Sequence, residues 1–163
     1  SLQSIAAVPR TQSVDAGYRL RKTLIPLQGA SRAQWHRGDL VRVRLEMEAS
    51  ADMTWVALTD PIPAGATILG SGLGRDSAIA TQGEGQGKNA PDDAGRAPTF
   101  VERGQDSYRA YWSHLPPGTT RVEYTLRLNN AGQFALPPSR VEALYAPERS
   151  GVLPISPWRI TPP

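Results

Sequence analysis

The sequence predicts an all-β chain folded as an antiparallel β-sandwich of about seven to nine short strands. Three observations point there. From Arg121 onward, Val122, Tyr124, Leu126 and Leu128 alternate with Arg121, Glu123, Thr125 and Arg127, the period of a half-buried strand. Val41, Val43, Leu45 and Met47 alternate in the same way with Arg42, Arg44, Glu46 and Glu48. Turn-forming residues recur every ~10 residues, the spacing of a sandwich, and no window carries a 3.6-residue apolar period.

Residues 1–17 lack strong periodicity and read as a lead-in to a single domain over 18–163. Tyr18 to Leu27 starts with Tyr18 and Leu20 against Arg19 and Arg21, then loses the pattern at Pro26. Proline cannot donate to a ladder, so this is an edge strand. Residues 28–37 read as a loop, Gly38-Asp39 as a turn, and Leu40 to Glu48 as the strongest strand of the first half. Met53 to Thr59 is the next strand, with Trp55 placed inward beside Met53 and Ala57. Asp60-Pro61-Ile62-Pro63-Ala64-Gly65 then breaks the sheet. An apolar start at Thr67-Ile68-Leu69 leads to a glycine-rich turn, with a short helical turn open near Arg75 to Ala80. Residues 82–98 hold Gly, Asp and Pro with alanine as their one apolar type. Such a segment buries too little to offset its ordering entropy and reads as a mobile loop.

Thr99 to Glu102 and Ser107 to Ser113 read as two strands joined through Arg103-Gly104-Gln105-Asp106. Leu115-Pro116-Pro117-Gly118 turns into the strand at Arg121. Asn129-Asn130-Ala131-Gly132 is a tight turn, since Asn and Gly tolerate positive φ. A short strand follows, then the Pro137-Pro138 break, then a strand around Val141 to Tyr145 that Pro147 stops. Ile155 to Ile160 is either a last strand or a tail docked around Trp158.

Composition limits function. The 163 residues contain no cysteine, which excludes disulfides and thiolate metal sites. No apolar run reaches the ~20 residues of a membrane helix, so no direct membrane insertion is expected. No signal peptide opens the chain at Ser1, and its start reads as internal to a longer protein. The net charge is +3, but the arginines interleave with Glu and Asp instead of forming one stripe, which argues against nucleic acid as a partner.

No catalytic or metal constellation emerges. His36 and His114 stand alone, without a companion at ligand spacing. Glu84, Asp92 and Asp93 lack the order of a calcium loop. Gly70-Ser71-Gly72-Leu73-Gly74 is neither a dinucleotide fingerprint nor a nucleophile elbow. Ser71 and Ser107 have no base or acid at a recognisable distance. A sugar-binding module with Trp35 and Trp112 as stacking platform is the rival reading. Of Tyr111 and Trp112, neighbours on a strand, one should face out. Leu144 and Tyr145, at a loop edge, either close the bottom of the sandwich or face a protein partner; spacing leaves both open.

Two segments, RGDLVRVRLEMEASADMTWVALTDPIPAGATILGSGLG (37–74) and FVERGQDSYRAYWSHLPPGTTRVEYTLRLNNAGQFALPPSRVEALYAPE (100–148), carry a resemblance. In that order they resemble the C-terminal region of bacterial alpha-2-macroglobulins, envelope proteins that entrap proteases. The resemblance implies the last macroglobulin-like domain (MG10), counterpart of the receptor-binding domain of the animal proteins. It implies an antiparallel sandwich with no catalysis and no cofactor of its own. It also implies a periplasmic location, with the parent chain lipid-anchored to a membrane. Its partners would be neighbouring domains of the parent, the proteases the parent engages, and an envelope protein. In thioester-bearing members an apolar residue followed by tyrosine covers the reactive bond, and Leu144 and Tyr145 stand where that pair would lie. Many members carry Met at the position of Leu144, a nearly volume-conserving exchange. One branch of the family lacks the thioester.

Overall fold

Alternating apolar side chains can be buried only if a second layer covers them, and a computed structural model shows that layer. It describes residues 11–27, 34–70 and 96–163. Among them are thirteen strands and no helix: β1 (Val14–Ala16), β2 (Tyr18–Leu27), β3 (Trp35–His36), β4 (Leu40–Ala49), β5 (Met53–Pro61), β6 (Thr67–Ile68), β7 (Phe100–Arg103), β8 (Ser107–Leu115), β9 (Gly118–Arg127), β10 (Gly132–Phe134), β11 (Ser139–Ala143), β12 (Ala146–Leu153) and β13 (Trp158–Thr161). The count exceeds the seven to nine expected because β12 follows a hairpin turn that the sequence does not signal, and because β1, β3 and β6 are two or three residues long. Strands that short show no measurable period.

The strands form a six-stranded sheet, β1-β12-β11-β5-β8-β7, and a four-stranded sheet, β2-β4-β9-β6. A small third sheet, β10-β13-β3, closes one flank. Pairing is antiparallel except for β13 with β3, which run parallel. The edge position expected for β2 is observed, with Pro26 opposite Val41. The hairpin of β7 and β8 is also as expected. Residues 28–37, read as loop, contain β3 at their end; residues 28–33 lie outside the described set, as do 71–95, which hold Ser71, the candidate helical turn, Glu84, Asp92, Asp93 and most of the expected mobile loop. Asn129 to Gly132 does not close a hairpin. It carries the chain from β9 in the four-stranded sheet to β10 in the small one. The Asn129 side chain donates to the Gly65 carbonyl and to Thr67 Oγ1, both at 2.8 Å, which ties that crossing to the turn before β6. Val14–Ala16, read as lead-in, pairs with Ser150–Val152.

One cluster fills the space between the large sheets. Val41, Val43, Leu45, Met47, Val122, Tyr124, Leu126 and Leu128 are all buried in it, as their alternation requires. Trp55 is the exception: it is 52% exposed. The inward residues of β5 beyond it are Val56, Leu58 and Asp60. Met53 still packs on the core, so the strand changes phase at Thr54 and Trp55. Trp55 has a φ of 54°, a left-handed conformation that shifts the alternation by one residue. β8 slips with it: Trp112 and Leu115 are buried while Ser113 and His114 are exposed. The register between the strands is the same on both sides of the slip.

Among the described residues the core contains one carboxylate. Asp60, fully buried, accepts hydrogen bonds from Lys22 Nζ at 2.8 Å and from the hydroxyls of Ser139 and Tyr124. Lys22 and Tyr124 belong to the four-stranded sheet, Asp60 and Ser139 to the six-stranded one, so this network crosses the sandwich. The Tyr124 ring stacks on Tyr108 with centroids 4.4 Å apart, a second link between the layers. Burial, followed by the charge of Asp60, holds the Tyr124 phenol well above its ordinary pKa. Tyr18 differs: its buried hydroxyl has no hydrogen-bond partner among the described residues. Desolvation raises its pKa from 10.0 to about 12, against a smaller lowering by Arg149.

Three stability predictions follow from this core. Val43→Asp or Leu126→Asp places an unpaired charge between the sheets and should abolish the β-sheet far-UV signal and the cooperative melt. Asp60→Ala strands the Lys22 ammonium and should cost about 3–5 kcal/mol in urea unfolding, with Lys22→Met in the same background recovering part of the loss. Tyr18 binds its proton more tightly when folded, so its contribution is complete below pH 10.0 and is lost as pH rises through about 12. Tyr18→Phe should therefore show a shallower fall in urea midpoint over that window, with no loss of stability at neutral pH because the hydroxyl it removes is unpartnered.

Candidate functional site

Turn tips are ordinarily polar, since their backbone meets water. The β11–β12 hairpin breaks that rule. Ala143 pairs directly with Ala146, which leaves Leu144 and Tyr145 as the two central residues of the turn. Neither has positive φ; among the described non-glycine residues only Trp55 does. The mirror-image turns that suit two-residue hairpins are thus not used, and a register shift between Glu142 and Ala143 takes up the mismatch. Pro147 does not stop the strand: it lies inside β12, just after the turn. The sequence concealed this hairpin because its turn contains no Gly, Asn, Asp or Pro.

The turn leaves Leu144 51% and Tyr145 81% exposed, so neither closes the bottom of the sandwich. The Leu144 amide donates to the Trp55 carbonyl at 2.8 Å. The Trp55 indole meets the Tyr145 ring edge-on, at 6.2 Å between centroids and 86° between planes. Three large apolar side chains therefore stand together at one end of the six-stranded sheet, facing water. Sequence reading singled out two of them. It missed Trp55 because the phase slip cannot be read from alternation.

The other candidates do not assemble into a site. His36 Nδ1 lies 3.8 Å from Asp39 and His114 Nε2 lies 3.1 Å from Asp52; each is a partly exposed surface pair, and neither imidazole is hydrogen-bonded to a serine among the described residues. Asp39 Oδ2 also accepts the His36 amide at 2.8 Å, the local bond of a turn. Ser107 is buried and donates to the Asp106 carboxylate at 2.7 Å, a bond that holds the Asp106 pKa below its ordinary value and leaves that carboxylate a weak base. No group of three or more potential metal ligands occurs among the described residues. Trp35 and Trp112 do not form the expected stacking platform. Trp112 is buried with its Nε1 donating to the Arg96 carbonyl at 2.9 Å, and Trp35 stacks on Trp158 at 5.8 Å. Of the pair Tyr111 and Trp112, Tyr111 is the one that faces out, against Phe100.

An open cleft of about 830 Å³ lies at the opposite end of the sandwich, bordered by Ile62, Ile68, Gly104, Asp106, Phe134 and Leu136. It brings together no nucleophile and base. Charge on the outer face of the four-stranded sheet is matched in pairs, Arg44 with Glu123 at 2.5 Å, Arg121 with Glu46 at 2.7 Å and Arg19 with Glu48 at 3.6 Å. No helix among the described residues is long and apolar enough to cross a membrane.

Fold and site together define an immunoglobulin-like β-sandwich domain whose distinctive surface is an apolar, aromatic turn. The chain belongs to the bacterial alpha-2-macroglobulin MG10 domain family, whose model matches residues 17–148. No curated protein shows a significant match to it. Among solved structures, native alpha-2-macroglobulin from Escherichia coli, spanning domain MG7 to the C-terminus, superposes with a TM-score of 0.76 at 20% identity, over 94% of this chain and 25% of that one. The trypsin-activated E. coli protein gives 0.70 at 18% identity, over 92% and 11%. Salmonella alpha-2-macroglobulin reacted with methylamine gives 0.71 at 18% identity, over 93% and 10%. The chain thus spans a quarter or less of the length of these structures.

Proposed function

We propose that this chain is the non-catalytic C-terminal domain of a bacterial alpha-2-macroglobulin-like protease-trapping inhibitor of the periplasm, with the parent protein anchored in a membrane. It docks through Leu144 and Tyr145 on the thioester-type domain of the parent or on an envelope partner. The observation that carries this reading is the β11–β12 turn, which holds an apolar side chain and a tyrosine out in water where a turn would ordinarily be polar. Structures of relatives activated by trypsin or reacted with methylamine support a protein that meets proteases and carries an amine-reactive group.

A thioester is lost to water, so it needs a dry cover until it is triggered. A leucine and a tyrosine supply bulk and apolar area without a nucleophile of comparable strength to a thiol. The cover must also come off when a protease cuts elsewhere in the parent. That requires docking with a modest free energy, carried by a few side chains, so that rearrangement can undo it. In a parent without a thioester the same turn serves as a docking element alone.

The test is Leu144→Ser with Tyr145→Gly in the full parent protein. Both side chains are exposed, so the melting temperature of the domain itself should hardly move. Each docked anchor is worth about 2 kcal/mol, so losing one raises the undocked population roughly thirtyfold and losing both raises it further. Protease capture after a preincubation in buffer should fall accordingly, and in a parent with a thioester the free thiol should appear sooner. Wild-type capture and wild-type thiol release in the double variant would refute the reading.

A further inference from the structure

All four large apolar side chains that stand exposed among the described residues, Trp55, Phe100, Leu144 and Tyr145, belong to the six-stranded sheet or its turn. Sheet register places them in one band. On β11 the outward residues are Arg140 and Glu142, and Leu144 continues that row with its amide bonded to Trp55 on β5. The next residue of β5 on that face, Ala57, is only 8% exposed and pairs with the half-buried Tyr111 of β8. Tyr111 in turn pairs with Phe100 of the edge strand β7, the two rings lying 6.0 Å apart. From β11 to β7 is three strand spacings, about 14 Å.

Charged pairs border the band. Arg140 meets Glu142 at 2.6 Å, and Arg109 meets Glu102 at 3.2 Å. Glu102 also accepts from the Tyr111 hydroxyl at 3.3 Å. An apolar, aromatic centre with a polar rim is the anatomy of a protein interface, and exposed apolar area that is contiguous needs a reason that scattered residues do not. Trp55 sharpens the point. A left-handed φ strains a bulky residue, and here it turns an indole away from the core and toward Tyr145.

We propose that the docking surface extends from Leu144 and Tyr145 across the outer face of the six-stranded sheet to β7, with Trp55 and Phe100 as further anchors, and that its occupant is a neighbouring domain of the same parent polypeptide. This rests on the docking reading above. Two observations favour that occupant. The band is continuous with the turn that docks. The matched E. coli structure is about four times as long as this chain, so sister domains joined to it reach the band at high effective concentration and need little affinity of their own. A sheet face four strands wide also fits the side of a folded domain better than an extended peptide, which would pair along an edge.

Hydroxyl-radical footprinting read residue by residue tests this without substitutions, because Trp, Phe, Leu and Tyr side chains all oxidise. The parent protein is compared with the 163-residue chain, its fold checked by far-UV circular dichroism. The expected result is a several-fold loss of oxidation at Trp55, Phe100, Leu144 and Tyr145 together in the parent, with Trp35 on the third sheet unchanged. Protection of Leu144 and Tyr145 with Trp55 and Phe100 still oxidised would confine the interface to the turn, overturning the extension while the docking reading stands. Equal oxidation of all four in both proteins would overturn both. Protection that grows with concentration of the 163-residue chain alone would assign the band to a second copy and overturn the choice of occupant.

Discussion

The sandwich depends on how a buried carboxylate is accommodated. Asp60 sits fully enclosed between two layers of apolar side chains, where an isolated charge would be prohibitive. It is tolerated because Lys22, Tyr124 and Ser139 converge on it from three other strands. Lys22 and Tyr124 can reach it only if the two large sheets lie in one relative position. Hydrophobic packing of Val, Leu and Met is forgiving about small slides between layers; a carboxylate with three fixed partners is not. The network therefore acts less as glue than as a locating pin. It sits at the end of β5, where the chain leaves the sheet through Pro61, Ile62 and Pro63.

From that pin the molecule can be read in two directions along β5. Toward its end lie the β7–β8 turn and the open cleft. Toward its start lie the phase slip at Trp55 and the aromatic turn at Leu144 and Tyr145. The slip and the hairpin are one construction: the Trp55 carbonyl receives the Leu144 amide, and the two aromatic rings meet at the surface. A rigid, well-located sheet ends in a protruding apolar corner. That is what a domain needs if its task is to press a few side chains against a neighbour.

Much of this was legible from the residues alone, for physical reasons that also explain the failures. Val41 to Met47 and Val122 to Leu128 each sustain alternation over seven residues, long enough for the inward face to be unambiguous, and every one of those positions is buried. The strands β1, β3 and β6 were invisible because two or three residues carry no period. Trp55 was placed inward because alternation was extended through a residue whose backbone is left-handed. The hairpin at Leu144 and Tyr145 was taken for a strand end because Pro147 looked like a stop, and because nothing in Leu-Tyr signals a turn. Lys22 and Asp60 lie far apart in sequence, one in a fading strand pattern and the other in a proline-rich break, so their pairing left no local mark. The resemblance carried by the two long segments supplied the family, which periodicity could not.

The slip shared by β5 and β8 has a consequence for how this domain can change in length. Because Thr54 and Trp55 step out of phase together with Ser113 and His114, the pairing on either side stays in step. Adding or removing one residue in only one of these strands would turn its remaining half inside out, sending Val56 and Leu58, or Ala110 and Tyr108, to the water side. The two strands are therefore bound to the same ruler, and viable insertions in this half of the molecule belong in the connections between strands.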